Sequence, residues 1–509
     1  MKSILEYLEI TTLTNPTKTA FICEENSITF SELEKKSQIF GAYLTKKIYK
    51  VKNKPIGIIA DKNIDTLICM LACLYTGNYY VIIDSELPLK RIDSMIQSTD
   101  FILLINSSNK NIFIGDNYKQ TVVNYKNIEF KEIMHEYKKL INEVRVECLS
   151  IDPMYGIFTS GSTGIPKLVV KSHRSLISFI DSFVDIFDFK SDEVLGNQFP
   201  FYFDASTKDI FVCLKCGITT HIIPKILFSF PYQLIEYLQN NKITTIIWVP
   251  SALVLVANTK ALDGEYDLPL LRKVFFVGEQ MPLKQLNYWK RKMQTTRFIN
   301  LYGSTEVAGN FLFYEYEFLL TDETRLPIGK PFPNVKVFLL NEKNELVKNS
   351  QIGEICVTGE TLSLGYYNRK DLTRLVFIEN PLVPYREIIY KTGDLAVYDE
   401  DNNIIWKSRK DFQIKHMGFR IELSEIEIVV GSISEIEECC CVYDDTNKRI
   451  ILFYQAKDDL KNIIGKKIRL HLPKYMYPSK YYKLSKMPHN ANGKIDRRYL
   501  NNQVKVMEK

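Results

Sequence analysis

The sequence predicts an α/β protein, with a large N-terminal domain of parallel-type sheets covered by helices and a small C-terminal domain. One observation is that strand-like apolar segments alternate with helix-like stretches from Pro55 to about Leu301, which is typical of parallel sheets. A second is chain length, because 509 residues exceed the roughly 250–300 at which a single core stops growing. We therefore expect more than one domain.

Three regions follow one another along the chain. The strands expected in the first are Ile56–Ala60, Tyr79–Asp84, Phe101–Ile105, Ile218–Ile223, Thr244–Trp248 and Lys273–Val277. After about Leu326 the strand-like segments are short, namely Val335–Leu340, Ile352–Thr358 and Ile404–Lys407, which predicts a β-rich subdomain. From Asp411 onward a strand–helix–strand pattern predicts a domain of α+β type. The expected domains are residues 1–410 and 411–509.

Composition argues against several classes of partner. The 66 basic and 60 acidic residues leave a net charge of only +6, and the basic residues are scattered, so nucleic acid is not an expected partner. No apolar run reaches the roughly 20 residues that a membrane helix needs. Glu6 and Glu9 lie near the start, and no signal-peptide pattern is visible. We expect a cytoplasmic protein that does not bind membranes.

The ten cysteines do not form a convincing metal motif. Cys213-x-x-Cys216 has no second pair and no histidine at ligand spacing, and it falls in a predicted apolar helix. Residues 439–441 are consecutive cysteines in a predicted strand, where neighbouring side chains face opposite ways. Free thiols in a reducing compartment are the simpler interpretation.

The most specific stretch is Tyr155 to Lys167, Y-G-I-F-T-S-G-S-T-G-I-P-K. A predicted buried strand ends there in a loop whose glycines allow backbone N–H groups to converge on an anion, usually phosphate. Lys167 adds a mobile positive charge. The spacing differs from G-x-x-x-x-G-K-[ST], so the common P-loop is disfavoured. A bare Gly/Ser turn is the alternative for a shorter match.

Two helix starts are also predicted. In residues 28–34, I-T-F-S-E-L-E, we expect a strand followed by a helix capped by Ser31. In Phe203-Asp204-Ala205-Ser206, either Asp204 or Ser206 could cap the following helix, with Ser206 and Asp209 forming a capping box. The functional alternative is that the Asp204 carboxylate meets a substrate ammonium in a dry pocket.

Several motifs occur together in a fixed order. They are T-S-G-S-T-G-x-P-K (159–167), N-L-Y-G-S-T-E (300–306), Y-K-T-G-D-L (390–395), S-R-K-D (408–411) and N-G-K (492–494). This set, which covers nearly the whole chain, resembles the adenylate-forming superfamily: acyl-CoA ligases, luciferases and the adenylation domains of nonribosomal peptide synthetases. Leu168, Ser304 and Ser408 depart from the family pattern, which has Gly, often Pro, and Gly there.

The resemblance implies ATP and Mg²⁺ as cofactors and assigns roles to residues. The nucleotide-binding residues it implies are Thr159, Ser160, Gly161, Ser162, Thr163, Gly164, Lys167, Asn300, Tyr302, Asp394 and Arg409. Tyr302 would stack on adenine, and Asp394 would accept hydrogen bonds from both ribose hydroxyls. The catalytic residues it implies are Lys494, Thr305 at the phosphate, and Glu306 as the Mg²⁺ ligand. Asp411 matches a hinge about which a mobile small domain turns, and residues 418–427 match the surface that faces a pantetheine arm.

The resemblance also outlines a substrate pocket. Its residues would be Asp204, Ala205, Lys208, Trp248, Phe275, Val277, Leu301, Gly309 and Asn310. By resemblance, Asp204 binds the ammonium of an α-amino acid, and Trp248 and Phe275 make the cavity shallow. Lys208 could leave the pocket along its stem or pair with Asp209. If it points inward it needs an anionic partner, which favours glutamate or aspartate as substrate.

The resemblance implies activation of an amino acid as its adenylate and transfer to a carrier protein. An acyl- or aryl-CoA ligase, which shares every motif except Asp204, is the alternative. An inactive nucleotide-binding module would be expected to lack Lys494, Glu306 or Asp394, all of which are present. No condensation motif occurs, and no carrier domain follows Lys494. We therefore expect an enzyme that charges a separate, phosphopantetheinylated carrier protein.

Overall fold

The computed structural model describes residues 1–48, 50–110, 122–128, 135–161, 164–264, 267–319, 325–348, 350–490 and 495–507. The helices are α1 (Leu5–Thr14), α2 (Phe30–Lys47), α3 (Ile64–Tyr75), α4 (Leu89–Gln97), α5 (Tyr137–Glu147), α6 (His173–Phe187), α7 (Ser206–Cys216), α8 (Pro231–Asn240), α9 (Pro250–Asn258), α10 (Leu283–Lys292), α11 (Lys370–Val376), α12 (Leu423–Gly431), α13 (Lys461–His471) and α14 (Arg497–Met507).

The strands before residue 300 are β1 (Thr19–Cys23), β2 (Asn26–Thr29), β3 (Pro55–Ala60), β4 (Tyr79–Asp84), β5 (Leu103–Asn106), β6 (Val122–Asn124), β7 (Pro153–Thr159), β8 (Lys167–Ser172), β9 (Val194–Asn197), β10 (Thr219–Ile222), β11 (Thr245–Trp248), β12 (Lys273–Val277) and β13 (Arg297–Tyr302). Those that follow are β14 (Leu312–Tyr316), β15 (Lys330–Pro331), β16 (Val335–Leu340), β17 (Gly353–Gly359), β18 (Gly365–Tyr366), β19 (Phe377–Glu379), β20 (Ile388–Tyr398), β21 (Ile404–Arg409), β22 (Gln413–His416), β23 (Phe419–Glu422), β24 (Glu438–Asp444), β25 (Arg449–Gln455) and β26 (Lys480–Leu484).

Two large sheets confirm the prediction of parallel sheets with helices between their strands. The first has the order β15-β14-β13-β12-β11-β9-β10-β1-β2, and its pairs from β13 across to β1 are parallel. The second has the order β18-β8-β7-β4-β3-β5-β6, and its pairs from β7 across to β6 are parallel. Strand β3 is buried at every position, which explains why its sequence is apolar without alternation.

The remaining sheets are antiparallel or mixed rather than mainly parallel, and they occur in the two regions where the sequence predicts a β-rich subdomain and an α+β domain. Strands β16, β17, β20, β19 and β21 form a sheet in which every pair is antiparallel, and this is the expected β-rich subdomain. After residue 410, a hairpin of β22 and β23 and a sheet of β24, β25 and β26 combine with helices as an α+β arrangement. Each of the nine strands predicted from the sequence is present, with ends shifted by at most two residues.

Contacts between residues divide the chain into two compact units. Unit 1 contains Met1–Ser85, Phe101–Ile157 and Leu168–Lys410. Unit 2 contains Glu86–Asp100, Phe158–Lys167 and Asp411–Lys509. Because two short earlier segments belong to unit 2, the proposed functional boundary between residues 410 and 411 stays a prediction. Within the part of the chain that is described, no helix is long and apolar enough to cross a membrane.

Helix α2 begins differently from the prediction. Its N-cap is Thr29, not Ser31: the Thr29 hydroxyl accepts from the Glu32 amide, and the Glu32 carboxylate accepts from the Thr29 amide. This reciprocal pair is a capping box. Ser31 lies exposed inside the first turn.

Candidate active site

The predicted phosphate loop follows β7. A Cβ atom added to Gly161 would lie 2.1 Å from the Ile165 carbonyl oxygen, so this turn excludes any larger residue. Gly164 has a φ of +80° and donates its amide to the Gly161 carbonyl at 3.0 Å, which closes the turn in a conformation that glycine favours. Ser162 and Thr163 lie outside the described residues.

The loop is held within unit 2 by β23. Ser160 Oγ donates to the Arg420 carbonyl at 2.9 Å and accepts from the Glu422 amide at 3.2 Å. Lys167 Nζ lies 4.0 Å from Glu422 Oε1. Thr159 Oγ1 donates to the Lys167 carbonyl at 3.4 Å. The hydroxyl of Ser160 is therefore bonded to backbone in this arrangement, and its role toward phosphate stays a prediction.

In unit 1, two residues predicted to bind nucleotide contact the carboxylate of a third, Asp394. Asp394 Oδ2 accepts from Tyr302 Oη at 2.5 Å and from Arg409 Nη1 at 2.9 Å. The register of β20 and β21 places Asp394 directly opposite Arg409, and Tyr302 ends β13. Burial, reinforced by the negative charge of Asp394, raises the pKa of the Tyr302 phenol, which therefore stays protonated and donates.

A third contact to this carboxylate was not predicted. Trp406 Nε1 donates to Asp394 Oδ1 at 2.8 Å, so both carboxylate oxygens are held. Asn300, also predicted at the nucleotide, donates its amide to the Pro327 carbonyl at 2.8 Å. The only sequence signal for Trp406 was an aromatic residue in the strand after T-G-D.

The predicted Mg²⁺ ligand is fully buried. Glu306 is 0% exposed, and its Oε1 accepts from Tyr366 Oη at 2.6 Å. Tyr366 lies in β18, outside the motifs named from the sequence, so its contact with Glu306 was missed. Thr305 is half-buried beside it. The described residues contain no group of three or more His, Cys, Asp or Glu side chains that could enclose a metal ion.

Asp204, in unit 1, forms an ion pair with Lys171, a residue that the sequence analysis did not identify. Its Oδ1 accepts from Tyr155 Oη at 2.8 Å and from Lys171 Nζ at 2.5 Å. Lys171 is 0% exposed and also donates to the Val307 carbonyl at 3.2 Å. Burial lowers the pKa of Lys171, and the Asp204 carboxylate opposes that shift. Among the described residues, no donor reaches Asp204 Oδ2, and 14% of the side chain is exposed.

The alternative capping role of this segment is wrong. The residue before α7 is Ala205, in helical conformation, and no side chain caps the helix. Ser206 Oγ instead donates to the Phe203 carbonyl at 2.7 Å, while the Asp204 carboxylate faces Lys171. The S-T-K-D spacing resembles a capping box, but the local backbone is already helical at Ala205, which leaves no N-cap conformation for either candidate.

Lys208 is buried and makes no hydrogen bond or salt bridge with any residue that the structure describes, although Asp204 and Asp209 interact with it electrostatically. Only 1% of the residue is exposed, so it does not reach solvent along its stem. It forms no hydrogen bond to Asp209 and interacts with that carboxylate only electrostatically: Asp209 Oδ2 accepts from Asn197 Nδ2 at 2.5 Å, and Oδ1 receives no hydrogen bond from the described residues. Lys208 Nζ lies 6.0 Å from the centre of the Phe179 ring. Burial lowers the pKa of Lys208 and raises that of Asp209.

The predicted apolar wall residues are buried side chains. Trp248 donates its Nε1 to the Gly196 carbonyl at 2.9 Å and meets Phe228 edge-on, with ring centroids 5.1 Å apart. Phe275 packs among the aromatic rings of α6, with centroids 4.8 Å from Phe187. Val277 and Leu301 are also buried. Their place around a substrate stays a prediction.

Gly309 packs against the ring of Phe179, over which Lys208 lies. A Cβ atom on Gly309 would lie 2.2 Å from Phe179 Cδ1, so Phe179 fills the space that a side chain would occupy. Asn310 is buried, and its Oδ1 receives no hydrogen bond from any described residue.

Two predicted residues belong to unit 2. Lys494 lies outside the described residues. Among the described residues on either side of it, His489 and Ile495 form a bridge, and the Asp496 amide donates to the Pro488 carbonyl at 2.8 Å. Asp411 is exposed, and its carboxylate accepts from the Gln413 amide at 3.2 Å. Its role as a hinge stays a prediction.

The fold and the grouping of Tyr302, Asp394 and Arg409 define a class of adenylate-forming protein. The family model described as "AMP-binding enzyme" matches residues 8–367. The chain therefore belongs to the family of AMP-binding enzymes, the adenylate-forming ligases.

Relatives with assigned names agree with this family. The D-alanine–D-alanyl carrier protein ligase of Bacillus licheniformis is 31% identical, over 99% of this chain and 100% of its own length. Zwittermicin A synthase ZmaJ of Bacillus cereus is 29% identical, over 95% and 92%. Tyrocidine synthase 1 of Brevibacillus parabrevis is 29% identical over 98% of this chain, which spans only 45% of that longer protein.

Solved structures share the fold. The Vibrio cholerae adenylation domain AlmE, solved with glycyl-adenosine-5'-phosphate, superposes with a TM-score of 0.83 at 19% identity, covering 99% of this chain and 98% of AlmE. The o-succinylbenzoate CoA synthetase MenE of Bacillus subtilis gives a TM-score of 0.81 at 19% identity, covering 99% and 98%. These likenesses establish the α/β fold with a large and a small domain.

Proposed function

We propose that this enzyme activates an amino acid with ATP and transfers it to the phosphopantetheine thiol of a separate carrier protein. In the first step a substrate carboxylate oxygen attacks the α-phosphorus of ATP, and the bond to the leaving pyrophosphate breaks. In the second step the thiol sulfur attacks the acyl carbon, loses its proton, and AMP leaves. The resemblance of the motifs and the name of the full-length carrier protein ligase relative support this reaction.

The observation that supports an amino acid is that no described residue donates a hydrogen bond to Asp204 Oδ2. Tyr155 and Lys171 hold Oδ1, so the carboxylate is fixed with Oδ2 available for a further donor. A substrate ammonium is a suitable donor, and a charge-assisted hydrogen bond in a largely buried site is among the stronger polar contacts.

The other residues of unit 1 fit the remaining tasks. Asp394, fixed by three donors, would accept from the ribose hydroxyls. Glu306 would hold Mg²⁺, which neutralises phosphate charge when bound. A single hard carboxylate suits this ion, because Mg²⁺ usually keeps several waters and binds phosphate rather than an all-protein cage. Lys494, by resemblance, would stabilise the charge that develops during adenylation.

Replacing Asp204 with Asn tests this proposal. The substitution keeps the shape but removes the charge that would face the ammonium, together with the carboxylate that forms the ion pair with Lys171. Amino-acid-dependent ATP–pyrophosphate exchange should fall by about one order of magnitude or more. Asp181→Asn is a matched control, since Asp181 is an ion-paired carboxylate that accepts from Lys215 and Tyr7 instead. Equal exchange by wild type and Asp204→Asn would contradict the proposal.

An acyl- or aryl-CoA ligase is the second candidate, and the Lys171–Asp204 pair favours it. Because Lys171 already neutralises Asp204, a carboxylic acid without an ammonium would leave no unpaired carboxylate behind. Exchange stimulated by fatty or aryl acids but by no amino acid, together with thioester formation on CoA, would establish this alternative. Exchange with amino acids and acylation of a holo carrier protein would establish the first.

A further inference from the structure

Unit 2 includes two short segments from the first part of the chain, and one carboxylate of α12 contacts both. The segments are Glu86–Asp100, which contains α4, and Phe158–Lys167, which contains the predicted phosphate loop. Glu425, in the first turn of α12, forms an ion pair with Arg91 of α4. The same carboxylate interacts with the backbone amide of Gly161 in the loop.

The Glu425 carboxylate is completely buried. The residue is 0% exposed; its Oε1 accepts from Arg91 Nη1, and its Oε2 receives no hydrogen bond from any described residue. Burial raises the pKa of Glu425, whereas the Arg91 charge and the Gly161 amide oppose that shift. A buried charge is costly unless it is paired, so the placement of α12 depends on these two partners.

Other described groups of the loop are engaged by the same part of unit 2. Ser160 Oγ accepts from the Glu422 amide at 3.2 Å, and Lys167 Nζ lies 4.0 Å from Glu422 Oε1. A Cβ atom on Gly164 would lie 3.3 Å from Ile428 Cγ2, so α12 packs directly against the turn of the loop. In this arrangement the anions that face the described part of the loop are carboxylates of the protein.

Resting on the proposed adenylation and thiol transfer, we propose that Arg91 and Glu425 are positioning residues for the transfer step, and that Glu425 and pyrophosphate compete for the phosphate loop. Once pyrophosphate has left, the Glu425 carboxylate is the anion beside Gly161, and its ion pair with Arg91 holds α12 in place. Pyrophosphate or ATP on the loop excludes this arrangement, because two anions cannot share the same donors.

This competition predicts opposite effects on the two half-reactions. The apparent affinity for a ligand falls in proportion to the fraction of protein that is competent to bind it. Weakening the contact between α12 and the loop should therefore strengthen the binding of pyrophosphate and slow the transfer step. A side chain with only a structural role would weaken both half-reactions together.

Glu425→Gln is the first test, because it keeps the shape and removes the charge. The KM for pyrophosphate in amino-acid-dependent exchange should fall about tenfold, and transfer from a preformed adenylate to pantetheine should slow about tenfold. Equal losses in both assays, or wild-type values in both with normal thermal unfolding, would overturn this inference and leave the proposed function intact. A wild type that activates no amino acid would instead refute the proposed function.

Arg91→Met tests the partner of Glu425. It should shift the KM for pyrophosphate and the transfer rate in the same directions as Glu425→Gln. Since removing either partner already breaks the ion pair, the double variant should differ from the stronger single variant by less than about twofold. Effects that multiply in the double variant would show that the two residues act independently and would overturn the pairing.

Asp444→Asn is the matched control. Asp444 is another buried carboxylate of unit 2, and it accepts from Arg449 Nε at 3.0 Å. The substitution should lower thermal stability without changing the KM for pyrophosphate or the transfer rate. A tenfold fall of that KM in Asp444→Asn as well would show that any broken ion pair of unit 2 has this effect, which would overturn the role assigned to Glu425.

Discussion

At the scale of single residues, the Asp394 carboxylate is fixed in position by hydrogen bonds from neighbouring side chains. Trp406, Arg409 and Tyr302 each donate to it. Charge-assisted hydrogen bonds from several donors fix the orientation of a buried carboxylate. Trp406 is thus a positioning residue for the proposed ribose site, because it touches Asp394 rather than nucleotide.

Trp406→Phe should weaken ATP binding. The substitution removes one hydrogen bond to a charged acceptor, so KM for ATP should rise roughly tenfold with a smaller change in kcat. Because Asp394 would be less well oriented, the penalty for 2'-deoxy-ATP relative to ATP should also shrink. Steady-state kinetics of ATP–pyrophosphate exchange, with ATP and with its 2'-deoxy analogue, measure both effects.

Trp289→Phe is the matched control for that experiment. Trp289 is fully buried and donates its Nε1 to the Leu253 carbonyl at 2.9 Å, away from Asp394. It should lower thermal stability without changing KM for ATP. Similar KM changes in both variants would show that Trp406 acts only through general stability.

Motif residues could be predicted from sequence, whereas their partners could not. Tyr302, Asp394 and Arg409 each lie in a contiguous motif whose residue types indicate the chemistry. Lys171 and Tyr366 meet Asp204 and Glu306 only because strands β8 and β18 pair beside them. Such contacts depend on tertiary packing, which local sequence does not record.

At the scale of secondary-structure elements, the sequence located strands better than helix ends. Burial on both faces makes a parallel strand continuously apolar, so β3 and β4 were evident. The start of α2 was ambiguous, because T-F-S-E-L-E contains two overlapping S/T-x-x-E patterns, Thr29 with Glu32 and Ser31 with Glu34. The structure has the first of these patterns: Phe30 is fully buried and is the first helical residue, so Thr29 is the N-cap.

The capping box of α2 gives a prediction about stability. Thr29→Ala removes the acceptor for the Glu32 amide and should lower the free energy of unfolding by about 1 kcal/mol. Ser31→Ala, two residues later, changes an exposed hydroxyl that caps nothing and should have little effect. Urea unfolding followed by circular dichroism compares them, and a larger loss for Ser31→Ala would restore the original assignment.

At the scale of the whole molecule, the proposed reaction asks one chain to perform two incompatible steps. Adenylation brings two anions together and needs positive charge, whereas thiol transfer needs access to the acyl carbon. By resemblance, the small domain would serve both steps by turning about Asp411, presenting Lys494 in the first and the surface that includes Gly418 in the second. This hypothesis rests on the resemblance of the sequence motifs alone.

Lys494→Ala tests the two-state hypothesis directly. Adenylate formation, measured by ATP–pyrophosphate exchange, should fall by about 100- to 1,000-fold, as expected when a transition-state charge partner is removed. Transfer from a preformed aminoacyl-adenylate to pantetheine should stay close to the wild-type rate, because Lys494 is withdrawn in that step. Lys461→Ala, an exposed lysine of unit 2, is the control and should change neither step. An equal loss of both half-reactions in Lys494→Ala would show that one fixed arrangement performs them, and that Lys494 is not exchanged for another surface between them.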